Sequence, residues 1–185
     1  MPKYTLVFVG GFTKIDGIIE TASNALKENI SHVAGILSGK CWEAQGVVLG
    51  NENYPGFWEQ RMDRLVGVPC TRFVAVEVPD LAPILAKAKQ LEGTPYGYTD
   101  CIRGGVYDLF GGQIPDNTLT MDCSEAQTRL LRSVREVLPG REAGTITPID
   151  LYRYVREVLH GEDITGLVEA GNCIPGSDFQ LPTGA

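Results

Sequence analysis

"SHVAGILSGKCWEAQG", residues 31–46, constrains the fold more tightly than any other stretch of this chain. Two short apolar runs are separated only by Ser-Gly-Lys, a tight turn that leaves room for a hairpin, so the runs lie antiparallel in one sheet. If the turn is a two-residue loop at Gly39-Lys40, Glu43 falls opposite Ile36 and shares a face with His32. A three-residue loop would send it to the other face, because side chains alternate along a strand. Upstream, "TLVFVGG" reads as a buried first strand ending in a glycine turn. Downstream, "TRFVAVEV" is alternating and β-branched, hence another strand.

Helical spacing surrounds these strands. Ile15, Ile18, Ile19, Ala22 and Leu26 predict a helix ending near residue 29. "NYPGFWEQRMDRLVG" reads as a loop followed by a short helix carrying Phe57, Met62 and Leu65. Asp80 can cap a helix whose face is Leu81, Ile84, Leu85 and Ala88, with Gly93 as its stop. Ala126, Leu130, Leu131, Val134 and Leu138 predict a helix that begins at Cys123 and runs to "LPG". Near the end, Thr147 is placed as N-cap, Pro148 at the first helical position and Asp150 three residues after the cap. From Gly161 onward there are four acids and no base. The expectation is an acidic, extended tail over 161–185, ordered by a protein partner if at all, after a single α+β domain over 1–160.

Composition excludes several classes of function. The 185 residues suit one domain, and 43% hydrophobic against 21% charged residues is the balance of a folded chain. A formal charge of −7 carries no footprint for nucleic acid and disfavours anionic membranes. No apolar run is long enough to span a bilayer, and the N-terminus does not read as an export signal, so a cytoplasmic or particle-associated setting is expected. Five cysteines without a CxxC pair imply reduced thiols rather than a disulfide framework. With only two histidines and no zinc-type spacing, neither a metal nor a cofactor is expected.

The thiol at the predicted helix start, "TMDCSEAQTRLL", is the feature that points to chemistry. Only a thiolate is nucleophilic, and free cysteine titrates at about 8.5, so an attacking thiol needs a helix N-terminus, a nearby imidazole, or both. Cys123 has the first by position. Of the two histidines, His160 ends a helix beside Gly161, where complementing the helix dipole suffices as its role. His32 opens a strand, where a side chain can project from the sheet end into a cleft; its ordinary alternative is a strand histidine satisfied by a backbone carbonyl. Glu43, in the apolar setting of "CWEAQG", needs a partner. Cys41, Cys70, Cys101 and Cys173 have packing as their default role. Core filling is the default for Trp42 and Trp58, and a solvated face for Arg129, Arg132 and Arg135.

Residues 4 to 158 resemble the circularly permuted papain-like cysteine hydrolases, the YiiX-like branch of the NlpC-type superfamily, related to the lecithin:retinol acyltransferases. The resemblance rests on the opening strand and helix, the "SHVAGIL" strand, the "EA" of the next strand, "GTPYGY", the "CSE" at a helix start and "ITPIDLYRYV" near the end. It implies an antiparallel sheet packed against helices with the nucleophile at a helix N-terminus. Cys123 would be the nucleophile, its backbone N–H serving the oxyanion, His32 the general base and acid, and Glu43 the group that orients the imidazole. Gln45 and Tyr98 are candidate polar walls of the substrate site. The activity implied is an amidase or endopeptidase on cell-wall peptides through an acyl-enzyme, with a lipid amide or ester as the alternative substrate. The competing expectation is an assembly module of a virus or phage particle that keeps the fold and little activity.

Overall fold

The computed structural model describes residues 1–10, 30–48, 54–99 and 119–171. The helix expected over residues 15–26 lies outside the described residues, as do Cys101 and Cys173. What is described is an α+β fold. Its strands are β1 (Lys3–Val9), β2 (His32–Leu37), β3 (Lys40–Gln45), β4 (Gly56–Arg61), β5 (Thr71–Glu77) and β6 (Glu162–Asp163). They form one antiparallel sheet in the order β4-β3-β2-β1-β5-β6.

The hairpin turns at Ser38-Gly39, one residue earlier than the expected loop. Leu37 pairs with Lys40, and Ser38 (φ 51°) and Gly39 (φ 73°) both take the left-handed conformation. Positive φ at both central residues is the type I′ pattern, whose twist matches that of the flanking strands. Continuing this register puts Glu43 opposite Ala34 rather than Ile36, and Gln45 opposite His32. The displacement is two residues, so Glu43 keeps the face of His32.

The sheet is buried on both faces, which explains the near-continuous apolar runs of β1 and β2. Tyr4, Leu6 and Phe8 of β1, with Val33 and Leu37 of β2, enter the larger cluster, on the side of the helices. Val7 and Val9, with Ala34, Ile36, Cys41 and Phe73, enter a second cluster on the opposite face. Gly56–Arg61, expected as loop passing into a short helix that carries Phe57, is the edge strand β4; Phe57 is buried opposite Ala44, while Trp58, Glu59 and Gln60 face outward or sit at the margin. A charged edge strand lacks the alternation that marks a central one. Only Met62–Leu65, a 3₁₀ turn, keeps the helical character expected of this region.

The helices are α1 (Ala82–Leu91), α2 (Cys123–Arg132), α3 (Pro148–Arg153) and α4 (Thr165–Glu169). Asp80 accepts a hydrogen bond from Ala82 N at 3.0 Å, although Leu81 is the N-cap of α1. At α3 the expected capping box forms in full between Thr147 and Asp150, and a π turn, Tyr154–Val158, follows it. α2 stops six residues short of Leu138. Ser133 Oγ donates to Leu130 O at 2.6 Å, and the Arg132 guanidinium takes the carbonyls of Val137, Leu138 and Arg141, ending the helix while Val137 stays in the core.

The reading of 161–185 as an extended tail does not hold for its first part. β6 pairs with Val74 and Ala75, Lys3 bonds Glu162 at 2.9 Å, and Phe73 N donates to Thr165 Oγ1 at 2.9 Å. Ile164 and Val168, four residues apart, bury into the second cluster with Leu167 against them, leaving the acids at the solvent side. Residues 172–185 lie outside the described residues. Among the described residues no helix is long and apolar enough to cross a membrane.

Candidate functional site

α2 is seated on the sheet by polar contacts. The Tyr4 hydroxyl donates to Gln127 Oε1, and Gln127 Nε2 donates to the carbonyl of Trp42 at 2.8 Å, tying α2 to β1 and β3 inside the core. Gly35 is what lets the layers meet, since a Cβ there would stand 1.8 Å from Tyr4 Oη. Burial pushes the Tyr4 phenol well above the ordinary range, with Cys41 adding to the effect, so it stays a neutral donor. Residues Cys123–Thr128 are all buried, which makes α2 a central helix rather than an amphipathic surface one.

Cys123 is the first residue of α2, as expected. Asp122 is its N-cap, extended at φ −90°, and Asp122 Oδ1 accepts from Glu125 N and from Ser124 Oγ, each at 2.8 Å. The segment before the cap is held by Met121, which pairs with the 95–97 loop through Met121 N→Pro95 O (3.1 Å) and Gly97 N→Met121 O (3.0 Å). That loop pairs in turn with β4 through Phe57 N→Thr94 O. Cys123 is 3% exposed and packs in the helix-side cluster with Val33 and Ala44.

His32 and Glu43 meet directly. His32 Nε2 lies 3.0 Å from Glu43 Oε2, which also accepts from Gln45 Nε2 at 2.7 Å. Gln45 Nε2 is 3.2 Å from His32 Nε2. Arg64, at the end of the 3₁₀ turn after β4, donates through Nε to Glu43 Oε1. The Glu43 side chain has no exposure, and an unpaired carboxylate at that depth would cost several kcal/mol. Burial alone would push its carboxyl up. The hydrogen bond and charge of His32, with Arg64 and Gln45, outweigh that and hold it below the usual range. With Nε2–H given to Glu43, the lone pair of a neutral His32 sits on Nδ1, which is the nitrogen left for a proton transfer.

The expected site residues divide into three places. His32, Glu43 and Gln45 form one hydrogen-bonded group on the face that carries Ala34, Ile36 and Cys41. Cys123 belongs to the cluster on the other face. Both lie at the same end of the sheet, where β2 begins and β3 ends: Gly46, next after Gln45, packs against Tyr96 and Tyr98, and the Tyr96 segment pairs with Met121. Tyr98, half exposed, donates its hydroxyl to Gly46 O and stacks edge-on with Tyr96 at 5.1 Å, beside that sheet end rather than in the histidine's group.

The remaining cysteine on the histidine's face is inert. Burial pushes the Cys41 thiol well above the ordinary range, the Glu43 charge adds to this and Arg64 offsets only part. Trp42 fills the core, stacked on Phe57 at 5.9 Å. Arg129 pairs with buried Glu125 at 2.5 Å and Arg132 binds carbonyls, so these two do not form the solvated ridge expected of them. Among the described residues no cluster of three or more histidines, cysteines and acids could hold a metal.

Two site residues escaped the sequence reading. Asp122 was legible, as an Asp followed three residues on by Glu125 at the mouth of an apolar-periodic helix. Arg64 carries no local signal, because β4 and the turn after it, 21 positions along the chain from Glu43, bring it there. No protein-family model matches the chain, and no curated protein shows significant similarity to it.

Proposed function

We propose that this chain is a permuted papain-like cysteine hydrolase acting on an amide or ester carbonyl, with cell-wall peptides as its substrate class. The observation that carries the reading is the fully buried Glu43 spent on His32, at the same end of the sheet as a thiol on the first residue of a central helix. A buried carboxylate that takes Nε2–H leaves Nδ1 basic, which is what a general base requires. The thiolate would attack the carbonyl carbon, and the oxyanion formed would face the positive end of α2. Imidazolium would then protonate the leaving amine or alkoxide, and water would release the acyl group from the sulfur. Because His32 and Cys123 project from opposite faces, this transfer requires the imidazole to reach the thiol around the sheet end, where β2 begins.

The same opposition of faces favours a second reading, a particle-assembly module in which both groups are structural. An activated ester separates the two. p-Nitrophenyl acetate should give a burst of p-nitrophenolate and an acetyl adduct on Cys123, short-lived in the wild type and persistent in His32→Ala. A folded protein that forms no adduct at Cys123 is the module. Where the adduct forms, parallel assays on peptidoglycan peptides and on lipid amides or esters assign the substrate class.

A further inference from the structure

Glu43 is held from two sides, and only one of them belongs to the histidine. Arg64 donates to Oε1, while His32 and Gln45 address Oε2, so turning the carboxylate breaks contacts with both sets at once. Arg64 is itself anchored. Its neighbour Leu65 is buried in the second cluster, and the turn Met62–Leu65 continues directly from β4, whose Trp58 pairs with Glu43. We propose that Arg64 is the positioning residue of this site: by clamping Oε1 it aims Oε2 at His32 and holds the imidazole in its Nε2–H tautomer. The inference rests on the hydrolase reading for its purpose, though not for its test.

The electrostatics give the clamp a consequence. Among the described residues the titratable and charged groups facing His32 and its carboxylate are Glu43, Arg64 and Cys41, and the Cys41 thiol is held neutral. Arg64 therefore supplies the one fixed positive charge of that set against the negative charge of Glu43. Without it, the buried carboxylate is balanced by His32 alone, and the charged imidazolium is favoured over the neutral base.

The test is the titration and tautomer of His32, read from its ring ¹⁵N and ¹H signals in the full chain. Arg64→Met is expected to raise the His32 midpoint by about one unit, a tenfold gain in proton affinity, with Arg64→Lys restoring most of it. In a Glu43→Gln background the Nε2–H tautomer should no longer respond to the same Arg64 substitution, because the carboxylate that Arg64 aims is gone. Arg64→Gln serves the same comparison if the methionine variant does not fold. A folded variant with unchanged midpoint and tautomer overturns the proposal. Alkylation of Cys123 in the same proteins separates the two claims: a shifted histidine beside an indifferent thiol keeps the role of Arg64 and removes the hydrolase reading.

Discussion

Replacing Gly35 by alanine should loosen the seat of the central helix. A Cβ at this position would lie 1.8 Å from Tyr4 Oη, 2.6 Å from Tyr4 Cζ and 2.5 Å from Gln127 Oε1. The Tyr4 ring has no exposure and cannot swing its hydroxyl clear, and the Gln127 amide is held by the Trp42 carbonyl. Either β2 shifts or α2 lifts. Losing the Tyr4–Gln127 bond strands buried polar atoms, at about 1–3 kcal/mol, and overpacking adds about 1–3 kcal/mol more. The total, about 2–6 kcal/mol, is a large share of the ~5–15 kcal/mol that holds a domain together. Equilibrium urea unfolding followed by far-UV circular dichroism measures it. Repeating the substitution in a Tyr4→Phe background should cut the cost by about 1 kcal/mol, not abolish it, since the ring carbon still stands in the way. A Gly35→Ala protein within about 0.5 kcal/mol of the wild type would refute this account of how α2 sits on the sheet.

Two further outcomes follow from the site. Asp122→Ala should cost about 1–2 kcal/mol by removing the acceptor for Glu125 N, with Asp122→Asn retaining most of the cap; denaturant midpoints of the three proteins check it. The Glu43 carboxyl is depressed in the folded protein, so its contribution is present above the unfolded value of about 4.3 and is lost as pH falls through the folded one. The stability gap between wild type and Glu43→Gln should therefore narrow as pH drops below about 4, and a gap constant from pH 7 to 3 would contradict the pairing.

The parts of the fold that short-range rules govern were legible. The hairpin announced itself as two apolar runs around Ser38-Gly39-Lys40, and Thr147-Pro148-Ile149-Asp150 spelled a capping box that forms in full. Even a turn placed one residue late left Glu43 on the right face, because the error moved the register by two and alternation has period two. What failed depended on distant partners. β4 was hidden because an edge strand need not alternate, and residues 162–169 looked like a tail because β5 and the second cluster, not local pattern, hold them. Which face α2 would choose was equally out of reach. Gly35 stands an odd number of positions from His32, but the weight of that parity is visible only once Gln127 is found over Gly35. The Arg64 clamp depends on the same kind of long-range placement.

The central claim is that His32 activates Cys123, and the pH dependence of iodoacetamide labelling tests it most directly. Labelling would be quantified at Cys123 by peptide mass spectrometry in wild type and His32→Ala, with exposed Cys70 in the same digest as the internal reference. The account predicts that Cys123 labels rapidly well below the ordinary thiol value of about 8.5, and that loss of His32 slows it about tenfold or more while Cys70 is unaffected. Labelling at Cys123 that follows an ordinary thiol in both proteins would contradict it.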